Sequence, residues 1–120
     1  MTTQQVADKL VGLCRQNKYM EATDLYANDI VSIEAVARPG ESRETKGLAA
    51  VKAKSEAFSK NFEVHSASVE GPLVAGPYFT VTFKLDATFK PEGKRQQMHE
   101  IAVYKVADGK IVSEEFFYSM

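Results

Sequence analysis

The stretch Gln97-Met98-His99-Glu100-Ile101-Ala102-Val103-Tyr104-Lys105-Val106-Ala107-Asp108-Gly109-Lys110-Ile111-Val112-Ser113-Glu114-Glu115-Phe116-Phe117-Tyr118 decides the fold. It spells a long strand, a tight turn and a returning strand. Asp108-Gly109 makes the turn, because a two-residue hairpin loop needs positive φ and this dipeptide supplies it cheaply. Side chains alternate between the faces of a strand. Met98, Glu100, Ala102, Tyr104 and Val106 therefore share one face of the first strand, and His99, Ile101, Val103 and Lys105 the other. In the second strand Val112, Glu114, Phe116 and Tyr118 oppose Ile111, Ser113, Glu115 and Phe117. Neither face is cleanly polar. One is expected to cover a core and the other to meet a partner chain.

Upstream, residues 78–90 alternate in the same way. Phe79, Val81, Phe83, Leu85, Ala87 and Phe89 fall on one face, and Thr80, Thr82, Lys84, Asp86 and Thr88 on the other. Residues 91–94 turn the chain into the hairpin. A strand is expected over 63–69, a turn at Gly71-Pro72, a short strand piece over 73–75 and a break at Gly76-Pro77. The first half is mostly helical. Val6, Leu10, Leu13 and Cys14 recur at helical spacing behind a Thr2-x-x-Gln5 capping box. A second, shorter helix is predicted over 19–27, then a strand over 30–37 and a surface loop over 38–44. Gly47 opens a third helix whose apolar stripe is Leu48, Val51, Ser55, Phe58 and Phe62, with Lys52, Lys54, Glu56 and Lys60 on its wet side. The order α-α-β-α-β-β-β-β, helices first and an antiparallel meander after, is the α+β pattern. One domain is expected over residues 1–120.

Composition excludes several classes. A net charge of −1, with scattered basic residues, gives no electrostatic footprint for nucleic acid. The single cysteine, Cys14, rules out an internal disulfide and suits a buried small hydrophobe in a reducing compartment. No apolar run reaches the roughly 20 residues that span a bilayer. The first residues lack the pattern of a secretory leader. The expectation is a cytoplasmic protein with no membrane partner. No phosphate loop, dinucleotide fingerprint or nucleophile elbow occurs, so no cofactor is expected. The spacing of His, Asp and Glu carries no metal signature.

The layout resembles the NTF2-like superfamily of cystatin-like α+β cones, in particular its SnoaL-like polyketide cyclases and ketosteroid isomerases. Three segments carry the resemblance: Asp24-Leu25-Tyr26-Ala27-Asn28-Asp29-Ile30-Val31, Gly47-Leu48-Ala49-Ala50-Val51, and Asp108-Gly109-Lys110-Ile111-Val112 with Phe116-Phe117-Tyr118. It implies three N-terminal helices wrapped by a curved antiparallel sheet that leaves an apolar pocket. The pocket-facing residues it implies are Glu34, His65, Phe79, Val81, Phe83, Glu100, Ala102, Tyr104, Glu114, Phe116 and Tyr118. On the 30–37 strand hydrophobicity alone would turn Val31 and Ile33 inward, whereas the resemblance turns Ser32 and Glu34 inward.

Glu34 lies where the isomerases keep their proton-shuttling carboxylate. The isomerase oxyanion tyrosine would fall at Leu10 and its protonated aspartate at Ala102, so that chemistry in its known form lacks its donors here. Glu34, His65 and Glu100 are the candidate catalytic residues. Phe83, Tyr104, Glu114, Phe116 and Tyr118 are the candidate ligand contacts. An inward carboxylate in an apolar cone has its charge disfavoured, which moves its pKa toward useful values. The handled molecule is expected to be small, apolar and carbonyl-bearing. Three functions stay open: a proton-transfer enzyme of the isomerase or cyclase kind, a non-catalytic binder of a hydrophobic ligand, and a dimeric interaction module. Ile101, Val103 and Phe117 form an outer apolar patch that predicts a homodimer.

Overall fold

The computed structural model describes residues 1–37 and 39–119. Helix α1, Thr3–Arg15, starts on the expected capping box: the Gln5 amide donates to Thr2 Oγ1 at 3.1 Å and the Thr2 amide to Gln5 Oε1 at 2.9 Å. Its buried face is Val6, Ala7, Leu10, Val11 and Cys14. Helix α2 is only Tyr19–Ala22, followed by a 3₁₀ turn at Thr23–Leu25. The predicted helix over 19–27 is therefore too long. The Thr23 hydroxyl donates back to the Met20 carbonyl at 2.5 Å, the competition with the backbone ladder that weakens helices at Thr. Tyr26 then pairs with Ile111 and opens strand β1, Tyr26–Ile33.

Strand β2, Glu44–Lys46, lies at the end of the predicted loop and pairs with β1. Of that loop, Arg38 lies outside the described residues. Helix α3 is Leu48–Asn61. Four strands follow: β3 Phe62–Ala75, β4 Tyr78–Phe89, β5 Lys94–Ala107 and β6 Lys110–Phe117. The turn between β5 and β6 has positive φ at both Asp108 (51°) and Gly109 (74°), as Asp-Gly requires.

The sheet runs β2-β1-β6-β5-β4-β3, curved and unclosed. The β3–β6 meander is antiparallel as expected, but β1 lies parallel to β6, so the sheet is mixed. Gly71-Pro72 is not a turn, because β3 runs through it with a shift of register between Glu70 and Leu73. Only glycine fits there. Its φ is 123°, and a Cβ would stand 3.0 Å from the Thr80 carbonyl oxygen.

Register fixes the inner face in rows. Ser32 pairs with Glu114, Glu114 with Tyr104, and Tyr104 with Phe79. The next row runs Phe116, Ala102, Val81, and the one beyond it Glu100, Phe83, Val69. These rows face α1 and α3 across a core that includes Leu10, Ile30, Val51 and Ile111. Phe79 and Tyr104 stack at 4.7 Å between ring centroids, an arrangement that adds to their burial.

Candidate active site

β1 presents Ile30 and Ser32 inward, both fully buried, which settles its face in favour of Ser32. Glu34 follows the strand. Its amide donates to the Arg43 carbonyl and its own carbonyl accepts from Arg43 Nε, each at 2.9 Å, so its backbone is clamped. Its side chain is a little under one-third exposed, at the rim of the cone. Lys54 donates to Glu34 Oε1 at 2.7 Å, and the Tyr118 hydroxyl to Glu34 Oε2 at 3.0 Å. Lys54 also donates to Ser32 Oγ at 2.8 Å and lies 5.6 Å from the Phe116 ring centroid.

Lys54 is thus a correction: the sequence pattern put it on the wet side of α3, and it reaches into the cone instead. The signal was available. Lys54 sits three residues after Val51 and four before Phe58, on the inward stripe. A cation there needs a buried or rim anion, and Glu34 is it.

Deeper in, Glu114 is 3% exposed. The Tyr26 hydroxyl donates to its Oε2 at 2.5 Å and the Ser32 hydroxyl to its Oε1 at 2.9 Å. Burial raises the Glu114 pKa, and the Tyr26 and Ser32 hydrogen bonds and the Lys54 charge oppose it. Tyr26, predicted as a helix residue, is a second site member that sequence reasoning misplaced. It and Tyr104 are held well above the usual phenol range, chiefly by burial and then by Glu114.

Glu100 is half-buried, and no described residue donates a hydrogen bond to its side chain. Its pKa is pushed up to about 7, first by burial and then by the Glu34 and Glu114 charges, against the pull of Lys54. The Glu34 and Glu114 charges both bear on Glu100, the one of the three carboxylates left without a donor. The Tyr118 hydroxyl is pushed up to about 12 by burial and by its bond to Glu34.

The structure brings together Glu34, Glu100, Glu114, Phe116 and Tyr118. Phe83 and Tyr104 line the same face but are only 6% and 2% exposed, packed as core. His65 is corrected. It is exposed and shares a hydrogen bond with Thr88 Oγ1 at 2.7 Å on the outer face. A β-bulge is the cause: Val64 pairs with Ala87 and Ser66 with Asp86, so His65 is an extra residue that reverses the alternation. Among the described residues no three His, Cys, Asp or Glu side chains converge as a metal site needs. Clefts open elsewhere on the fold. One of about 190 Å³ lies between the end of α1 and β3, lined by Cys14, Arg15 and Val69 among others. An open groove of about 580 Å³ runs between Met20 and α3. Neither holds the carboxylates. No described helix is long and apolar enough to cross a membrane.

Comparison with known proteins follows the same lines. A SnoaL-like domain matches residues 1–118. A crystal structure from Mesorhizobium loti, described as a candidate SnoaL-like polyketide cyclase, is 39% identical. It superposes with a TM-score of 0.92 over 98% of this chain and 100% of that one. A candidate isomerase from Bacillus subtilis is 19% identical, with a TM-score of 0.78 over 99% and 90% of the two chains. A Xanthomonas campestris protein of unknown function with a cystatin-like fold is 15% identical, with a TM-score of 0.79 over 100% and 92%. Among curated proteins none matches. The last two show the fold alone, but the domain match over nearly every residue and the M. loti relative go further: the chain belongs to the SnoaL-like family.

Proposed function

We propose that the chain binds a small, apolar, carbonyl-bearing molecule at the rim of its cone and moves a proton on it, as isomerases and cyclases do. Glu100 is the proton carrier. The observation that supports this is its position: a half-buried carboxylate without a donor, poised near neutrality beside two others. A base whose pKa lies near the working pH combines availability with driving force. In the proposed step Glu100 takes a proton from the carbon next to the carbonyl. The C–H electron pair becomes the new C=C bond, and the carbonyl π pair moves to oxygen. Return of the proton to another carbon completes an isomerisation.

Glu34 holds Lys54 and Tyr118 at the rim, and Lys54, with two of its three N–H donors on Glu34 and Ser32, keeps one for an incoming oxygen. Lys54 at about one-third exposure is reachable from solvent. His65 has no part in this. A small-molecule panel of ketones incubated in D2O tests the proposal by NMR: α-proton exchange on at least one ketone, lost in Glu100→Gln, is expected, and no exchange across the panel removes the catalytic role.

One observation favours a binder without chemistry. Glu34 already has two strong partners, and neither cleft reaches the carboxylates. In that case the same rim would hold a hydroxyl or amine, and ligand would bind with no exchange. In either role the outer sheet face supports a homodimer, since Ile101 and Phe117 are 46% and 49% exposed on adjacent strands.

A further inference from the structure

A lysine at the rim of a ligand site ordinarily favours an anion. Lys54 does not stand alone. Its ammonium donates to Glu34 Oε1 at 2.7 Å and to Ser32 Oγ at 2.8 Å, and Ser32 Oγ lies 2.9 Å from Glu114 Oε1. The hydrogen inventory fixes the direction of each bond. An ammonium only donates, so Ser32 accepts from Lys54 and its single proton goes to Glu114. The Tyr26 hydroxyl donates to the other Glu114 oxygen. Both oxygens of Glu114 therefore accept. A proton on either would face a hydroxyl proton inside the core, where Ser32 is fully buried and Glu114 is 3% exposed. Glu114 is thus held as a carboxylate. Burial works against its charge, and the two hydroxyls and Lys54 work for it.

Lys54 brings one positive charge to the rim. Glu34 answers it directly, and Glu114 answers it again through Ser32. The other titratable groups around the cluster add no charge below neutrality. Glu100 holds its proton until about pH 7. Cys14 of α1, Tyr19 of α2, Tyr26 of β1, Tyr104 of β5 and Tyr118 beyond β6 are raised above their ordinary ranges, chiefly by burial, and stay neutral. The cluster therefore carries a net negative charge, which grows as Glu100 ionises. The remaining Lys54 N–H is a donor with no surplus charge behind it. It suits a neutral oxygen, and a carboxylate brought to it meets net repulsion.

We propose that Ser32 and Glu114 are specificity-determining residues: by holding a second negative charge on Lys54 they turn the rim donor toward neutral carbonyl or hydroxyl oxygens and exclude carboxylate ligands; this rests on the carbonyl-binding rim proposed above. Ser32 acts through its neighbours, as the hydroxyl that joins the lysine to the buried anion.

Two probes of similar shape test this: 2-acetylnaphthalene, a neutral ketone, and 2-naphthoate, its anionic counterpart. Their affinities are read from amide NMR shifts at pH 6 on wild type, Ser32→Ala, Ser32→Thr and Glu114→Gln. Wild type should bind the ketone about tenfold more tightly or better, the order expected of one uncompensated charge nearby. Ser32→Ala leaves Glu114 a donor short and cut off from Lys54, so Glu114 takes up a proton. The preference should then shrink about tenfold, and Ser32→Thr, which keeps the hydroxyl, should restore it. Glu114→Gln should shrink it as Ser32→Ala does; if that variant does not fold, the Ser32 pair carries the test. A Ser32 that only fills space would weaken both probes together and leave their ratio alone, which overturns the proposal. A ratio near one in wild type, or a Glu114 carboxyl-carbon signal that reads protonated at pH 6, overturns it as well. Wild type that binds neither probe overturns it together with the rim site. The expected preference without α-proton exchange on the ketone keeps the specificity and removes only the enolisation.

Discussion

At the scale of single residues, Glu100 governs how the protein responds to pH. Its carboxyl ionises near the ordinary 4.5 in the unfolded chain and near 7 in the folded one. Between these values the unfolded chain has released the proton and the folded chain still holds it. Stability from this group is therefore full below pH 4.5 and falls as pH rises toward 7. At ~1.4 kcal/mol per pH unit the whole span is on the order of 3 kcal/mol. Glu100→Gln should be as stable as wild type at pH 5 and more stable at pH 8, by up to about that amount. Urea melts of both proteins at the two pH values measure it; parallel pH dependence would contradict the assignment. The candidates at this scale were partly legible. Alternation put Glu100 and Glu114 each on one face of a well-marked hairpin strand, and the family resemblance turned that face inward. Lys54 was not found, because a lysine is taken for a solvated residue until its anion is located, and Glu34 comes from a strand twenty residues away. His65 was misplaced, because a bulge has no mark in the sequence strong enough to reverse the count of two.

At the scale of elements, β4 was the clearest strand and β1 the least clear. β4 pairs with β5 without a slip from Tyr78 to Phe89, and the extra residues in its pairing with β3 lie on β3, so the period of two of β4 survives in the sequence. Phe83 is 6% exposed on the inner face, while Thr82 is half-buried on the outer one. Phe83→Ala should cost about 3–5 kcal/mol. Thr82→Ala should cost much less, under about 1 kcal/mol, unless its place across from Ile101 puts it at a partner interface. Equal losses in urea would show that the two faces are exchanged. β1 defeats the same logic for a physical reason. Ile30 joins the apolar core, but the next inward residue, Ser32, answers to Glu114 of β6 and lies buried against it while Val31 and Ile33 are only partly covered. Polar satisfaction, not hydrophobicity, decides its orientation. The 3₁₀ turn at Thr23–Leu25 was hidden similarly, since Tyr26 has a helical spacing from Ala22 but finds its partners across the sheet.

At the scale of the whole molecule, the outer face of β5 and β6 is the feature left to explain. Ile101 and Phe117 face each other across the strands, flanked by Val103 and Glu115, as a half-exposed apolar patch. Sedimentation at micromolar concentration should give about twice the chain mass of 13.3 kDa. Ile101→Lys should shift it to the monomer without unfolding the chain, since the patch lies outside the core; a monomeric wild type would dismiss the dimer. The parallel seam between β1 and β6 has a different consequence, which is one of timing. The hydrogen bonds from Tyr26 and Ser32 to Glu114, and from Tyr118 to Glu34, each close separations of 82–88 residues. The β3-β4-β5-β6 meander, by contrast, joins neighbours through short turns. Long loops must be closed before distant contacts reward them, so the meander should organise first and the carboxylate cluster last. Ser32→Ala should then speed unfolding and leave the refolding rate nearly unchanged in stopped-flow chevrons. A slowed refolding limb would place the cluster in the nucleus. With that order of events, a chain caught before its final step carries most of its sheet and none of the hydrogen bonds that hold Glu34 and Glu114 in place.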